Sequence, residues 1–133
     1  MNARQTELAH FGEQIEWLSE ADAAKVYNYA MKFCSRKHYG LEPLMVQGIT
    51  HIDVDLTDDF AAEWLTSRVG IGRLRVIYGE MDVFVTSSSF FIANWQDMFC
   101  PSRDDVLILP EEGNWVLFYC HEDEFEHGIR RVA

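Results

Sequence analysis

Apolar residues recur along the first segment at Leu8, Phe11, Ile15 and Leu18, the three-and-four spacing of one helical stripe. Gly12 interrupts that stripe, and glycine costs a helix interior about 1 kcal/mol relative to alanine. A second helix is better punctuated. Ser19 is placed to cap it and Asp22 to occupy its positive end. Ala23, Tyr27, Ala30, Met31 and Cys34 form its apolar face, Lys32, Arg36 and Lys37 gather near its negative end, and Gly40 and Pro43 stop it. From Ile49 to Leu56 the period changes to two. Ile52, Val54 and Leu56 alternate with His51, Asp53 and Asp55, the pattern of a half-exposed strand. Thr57 can cap a third helix, with Asp58 and Asp59 in its first turn, Phe60, Trp64 and Leu65 facing inward, and Gly70 and Gly72 ending it.

Gly79-Glu80 places glycine first, as a type II′ turn requires, and predicts a hairpin that pairs Tyr78 with Met81, Val76 with Val83 and Leu74 with Val85. That register makes one face of the hairpin wholly apolar. Residues 87–99 fit a strand or a short helix, and the three serines ahead of Phe90-Phe91-Ile92 tip the balance slightly toward a capped helix. Val106–Leu109 and Trp115–Cys120 are short, rich in β-formers and apolar on both faces, so they predict two central strands covered on each side. The expected fold is α+β: one domain over residues 1–133, with a mixed or antiparallel sheet of about five strands packed with three or four helices.

Charge narrows the choice of partners. There are 22 Asp and Glu against 11 Lys and Arg, a formal charge of -11, and residues 104–126 hold eight carboxylates with no lysine or arginine. Such a field repels phosphate, so neither nucleic acid nor an anionic membrane is an expected partner. No apolar run approaches the roughly 20 residues that a bilayer demands, and the amino-terminal segment lacks the apolar core of a secretory signal. Cys34, Cys100 and Cys120 form no CxxC pair and are expected as free thiols, which fits a reducing compartment, most simply the cytoplasm.

Few constellations could carry chemistry. His51, Asp53 and Asp55 lie at i, i+2 and i+4, one strand face able to offer a metal ion an imidazole and two carboxylates, but no motif nominates a fourth ligand. A solvated strand face is the stronger reading, and neither a metal nor an organic cofactor is expected. His121 and His127 flank an acidic run without the HExxH spacing, and that run reads as a solvated end following a core strand. Arg73 and Arg75 share the polar face of their strand and could fork onto a small anion, although pairing with local acids such as Asp82 or Asp104 is the commoner arrangement. No GxSxG elbow, nucleotide-binding glycine loop or activated cysteine is present, which argues against an enzyme.

The run Gly113-Asn114-Trp115-Val116-Leu117-Phe118-Tyr119-Cys120-His121-Glu122-Asp123 resembles the closing strand of small bacterial immunity proteins. These are acidic single domains that neutralise a cognate toxin by blocking it. The resemblance spans roughly residues 104–128 together with size and charge, and it assigns no role to any individual residue. It implies a non-enzymatic domain that recognises a basic partner protein. The carboxylates expected to meet that partner are Asp104, Asp105, Glu111, Glu112, Glu122, Asp123, Glu124 and Glu126. Two other expectations stand beside it: a small-ligand or metal-binding enzyme or sensor, and a homodimer joined through Trp115–Cys120 or the Phe90-Phe91 patch.

Overall fold

The computed structural model describes residues 2–35, 40–54 and 58–131. Its strands are β1 (Glu16–Trp17), β2 (Cys34–Ser35), β3 (Gly40–Leu41), β4 (Val46–Asp53), β5 (Arg73–Ile77), β6 (Val83–Ser87), β7 (Val106–Pro110), β8 (Trp115–Cys120) and β9 (Glu124–Arg130). The helices are α1 (Ala3–Glu7), α2 (Glu20–Ala30), α3 (Asp58–Arg68) and α4 (Ser88–Met98). Seven strands form one antiparallel sheet in the order β1-β6-β5-β7-β8-β9-β4, and β2 and β3 make a separate ladder. The fold is α+β, with more strands than the pattern alone indicated.

Alternation divides the sheet's side chains between two cores. Leu74, Val76, Phe84, Ile108, Leu117, Tyr119 and Phe125 face the layer of α3, α4 and the amino-terminal segment. Ile77, Val83, Leu107, Leu109, Val116 and Phe118 face Ala23, Ala30 and Phe33 of the α2 layer. β8 is therefore buried on both sides by its own chain, and Phe91 is fully buried while Phe90 is only partly covered. Neither Trp115–Cys120 nor Phe91 is left as a surface for a second copy.

Local chemistry sets the helix starts. The Asp22 N–H donates to Ser19 Oγ at 3.2 Å, and the Phe90 N–H donates to Ser87 Oγ at 3.1 Å, so α2 and α4 both begin at serine caps. On α4, Phe91, Trp95 and Met98 are buried, settling residues 87–99 as a helix after its serine cap. On α3, Ala61, Trp64 and Leu65 point inward, whereas Phe60 is about half exposed because it lies one position off that stripe. Arg36, Lys37, His38, Asp55, Leu56 and Thr57 lie outside the described residues.

Three expectations are corrected. The first segment is not one helix: α1 is followed by 3₁₀ turns over Ala9–Gln14, broken where Gly12 takes φ 55° and ψ -129°, and the chain then enters β1. Leu8, Phe11 and Ile15 are still buried, so the stripe marked burial without marking a continuous helix.

The β5–β6 hairpin is shifted by one residue and pairs Ile77 with Val83 and Val76 with Phe84. The Tyr78 N–H donates to the Asp82 carbonyl at 2.9 Å, so Gly79, Glu80 and Met81 all lie in the loop. The slip exchanges the two faces of β6 and buries Phe84 completely, while Met81 remains half exposed.

The acidic tail is not a solvated end. It supplies β9, which runs between β8 and β4, because Phe125 and His127 alternate with Glu124 and Glu126 beneath the apparent charge run.

His127 ends up buried between two indoles, 5.9 Å from the Trp115 ring centroid and 6.3 Å from that of Trp64. Its Nε2 has no hydrogen-bond partner among the described residues. Burial, reinforced by the Arg68 charge, holds the ring neutral and lowers its pKa to about 4. The unfolded chain binds this proton near pH 6.5, so the stability contribution is full above that value and declines as pH falls toward 4. Urea midpoints measured at intervals across that range should fall with acidity, and His127→Gln should flatten this leg of the profile.

Candidate functional site

The eight carboxylates expected to act together are separated by the fold. β7 and β8 run antiparallel, so Glu111 and Glu112 in the turn between them lie at one end of the sheet. Asp104, Asp105, Glu122, Asp123 and Glu124 lie at the other end, where β7 starts and β8 passes into β9.

Asp104 is not on the surface. It is 2% exposed and accepts from Arg4 Nη1 at 3.1 Å, from Arg103 Nε at 2.9 Å and from the Cys100 N–H at 2.8 Å. Asp105 is exposed and meets His121 Nδ1 at 2.9 Å, and its hydrogen bond raises the imidazole pKa. Asp123 accepts from the Tyr119 hydroxyl at 2.7 Å, and Glu124 Oε2 lies 3.2 Å from His51 Nε2. Glu126 accepts the Leu41 N–H at 2.7 Å and so fastens β3 to the sheet. At this end most carboxylates are already engaged in holding the fold together. Glu122 remains exposed.

The opposite end combines charge with apolar surface. The chain leaving α3 passes through Gly70-Ile71-Gly72 before β5. Gly72 takes φ +154°, a conformation that side-chain-bearing residues rarely adopt. Its N–H donates to Ser88 Oγ at 3.2 Å, and its carbonyl accepts the Ser88 N–H at 2.8 Å. This clamp fixes the loop to the first turn of α4 and holds Ile71 out, fully exposed.

Beside Ile71, a groove of about 1000 Å³ runs between α3 and α4, lined by Ala62, Val69, Ile71, Ile92 and Ala93. A smaller crevice joins Ile71 to Glu111 and Glu112. Arg73 lies on that crevice and is balanced by Glu111 at 3.4 Å and Glu16 at 3.5 Å. Two of the eight carboxylates thus line a crevice that shares Ile71, Gly72 and Arg73 with the apolar groove, a juxtaposition that hydropathy patterns do not mark. The only sign in the chain is one bulky apolar residue between two glycines.

The other chemistry-bearing residues separate as well. His51 is exposed and Asp53 partly so, Asp55 lies outside the described residues, and no group of three or more His, Cys, Asp or Glu among the described residues could hold a metal. Burial pushes the Cys34 and Cys120 thiols up, away from the thiolate form that a nucleophile needs. Arg73 and Arg75 share a strand face as expected, but among the described residues only Arg73 meets carboxylates, whereas Arg75 lines a separate cavity.

Comparison of the chain with protein-family models, curated proteins and solved structures finds no match.

Proposed function

We propose that this chain is a non-enzymatic binding domain whose groove between α3 and α4 receives a basic partner protein, in its sharpest form as an immunity- or antitoxin-like inhibitor. The observation that carries the reading is Ile71, fully exposed at the lip of an apolar groove and bordered by Glu111 and Glu112. Exposed apolar recesses with polar rims are where proteins meet other proteins. An aliphatic or aromatic anchor would fill the groove while lysine or arginine faces the two glutamates. The -11 charge would speed encounter with such a partner and make it salt-sensitive. The three free cysteines suit a partner met in a reducing compartment such as the cytoplasm.

The test joins capture to affinity. A protein retained by the wild-type chain at low salt is identified, purified and titrated calorimetrically against wild type, Ile71→Asp and a Glu111→Lys/Glu112→Lys double variant. The expected partner is basic, and each variant should weaken binding by roughly 10- to 100-fold, as loss of a central anchor does. The Ile71 side chain is solvent-exposed, so the unfolding midpoint of Ile71→Asp should stay near that of wild type. An acidic partner, or one that binds all three chains equally, would refute the reading.

A further inference from the structure

The α2 face of the sheet carries a second recess, of about 540 Å³, at the end where β7 turns into β8. Its walls include Tyr29, Arg75, Glu111, Asn114, Arg130 and Arg131. Three arginines around one cavity are conspicuous in a chain with two acids for every base.

Their partners set them apart from Arg4, Arg73 and Arg103, although Arg68 on α3 also donates to neutral oxygens only, among the described residues. Arg4, Arg73 and Arg103 each meet at least one carboxylate. Arg75 projects from the middle of β5, level with Val85 and Leu109, and its guanidinium makes no ion pair or hydrogen bond among the described residues. Arg130 is fixed by neutral groups only. Its Nη1 donates to the Tyr29 hydroxyl at 2.7 Å, its Nη2 donates to the Gly113 carbonyl, and its Nε is buried with no partner. The rings of Tyr29 and Phe33 lie 5.9 and 5.8 Å from its guanidinium carbon. Arg131 likewise donates to neutral oxygens, the Pro43 carbonyl at 3.2 Å and Gln47 Oε1 at 3.4 Å.

This arrangement leaves Arg75 and Arg130 without an ion-pair partner among the described residues, with Arg130 held in position by its neutral contacts. A guanidinium ordered by neutral acceptors keeps its full electrostatic demand, and a carboxylate or phosphate meets that demand with two parallel hydrogen bonds. The Tyr29 hydroxyl accepts from Arg130, which leaves its own proton available to donate. The one acid in the wall, Glu111, lies 3.4 Å from Arg73. The volume lies within the range of roughly 300–1,000 Å³ typical of small-molecule sites, and so leaves room for a body attached to the anion.

We propose that this cavity binds a small metabolite bearing a carboxylate or phosphate, with the anionic group held between Arg75 and Arg130. The site shares Glu111 with the crevice beside Ile71 but none of the residues of the groove between α3 and α4, and it does not depend on the docking reading.

Inorganic phosphate and citrate, titrated separately at constant ionic strength and followed by amide chemical shifts, serve as probes. At least one should saturate with a dissociation constant of about 10 mM or tighter, with shifts centred on residues 29, 75, 114 and 130. Saturation by phosphate alone assigns a phosphate ligand, and by citrate alone a polycarboxylate. Arg75→Gln should weaken binding by about 10-fold or more, as loss of a charge-assisted fork does, with an unchanged unfolding midpoint. Glu111→Gln should tighten it by removing a nearby negative charge. The proposal is overturned if neither probe saturates, if Arg75→Gln binds as wild type does, or if the shifts centre elsewhere.

Discussion

Replacing Phe125 by alanine is expected to destabilise the protein by about 3–5 kcal/mol, the cost of emptying an aromatic site in a packed core. Phe125 is completely buried at the centre of a ring cluster. Its centroid lies 5.1 Å from Trp95 and 5.3 Å from Tyr119, both edge-on or nearly so, and 6.3 Å from both Trp64 and Phe99. Those rings come from α3, α4, the segment after α4 and β8, so no single neighbour can move in to fill the hole without disturbing another element. The midpoint of thermal unfolding should fall by roughly 10–20 °C for a domain of this size. Phe125→Leu, which keeps most of the volume, should cost less than about 1.5 kcal/mol. Urea denaturation of both variants gives the comparison, and a similar small loss in each would show that the cluster does not carry the core.

The second large effect is expected at Asp104. Its carboxylate ties Arg4 of α1 and Arg103 to the Cys100 amide, drawing the amino-terminal helix onto the connection between α4 and β7. Asp104→Ala should cost about 3 kcal/mol, the low end for breaking a buried pair, because Arg4 and Arg103 can partly turn to water. Asp104→Asn keeps the shape and loses the charge, and should fall between wild type and alanine.

Acid should reproduce part of this loss. Burial alone would raise the Asp104 pKa, but hydrogen bonds from Arg103 and the Cys100 amide, together with the Arg4 charge, outweigh it and leave the group below the ordinary aspartate value. A depressed native pKa means that the stabilisation is complete above about pH 4 and drains away as pH falls through the native value. Chemical denaturation between pH 5 and 2 should show a steeper acid loss in wild type than in Asp104→Asn. Because His127 titrates in the upper part of the acid range, a double variant of both positions separates the two contributions.

Several elements could be read from the chain because their causes are local. Ser19 and Ser87 cap their helices through side-chain oxygens a few residues from the amides they accept. Val106–Pro110 and Trp115–Cys120 carry enough apolar residues on both faces that only a doubly covered strand suits them. The errors arose where distant contacts decide. A two-residue hairpin turn satisfied the backbone near Gly79, but burying Phe84 against Trp17 and Tyr78 selects a longer loop and the opposite faces. In β9, alternating glutamates resemble a solvated run until β4 is known to lie alongside, since β4 supplies the second ladder that makes the strand interior.

The site followed the same division. Charge marks Glu111 and Glu112, but their neighbour Ile71 lies 40 residues earlier in the chain and is brought beside them by the sheet. The same charge count marks Asp104, which is internal because Arg4, 100 positions away, folds back onto it. Arg130 is not legible as a cavity wall, because His121–His127 reads as a solvated end and nothing in it points to a strand that continues to Arg130.

The interrupted pairing of β4 has a consequence for solubility. β4 closes one side of the sheet, and its ladder with β9 changes register between Gln47 and Thr50. A bulge there splits the outer row of amides and carbonyls into two short runs that twist out of line, so a foreign strand could match only a few residues before losing step. The sheet margin is thereby a poor template for fibril growth, and a chain lacking one residue at this bulge should be more prone to aggregate than the protein itself.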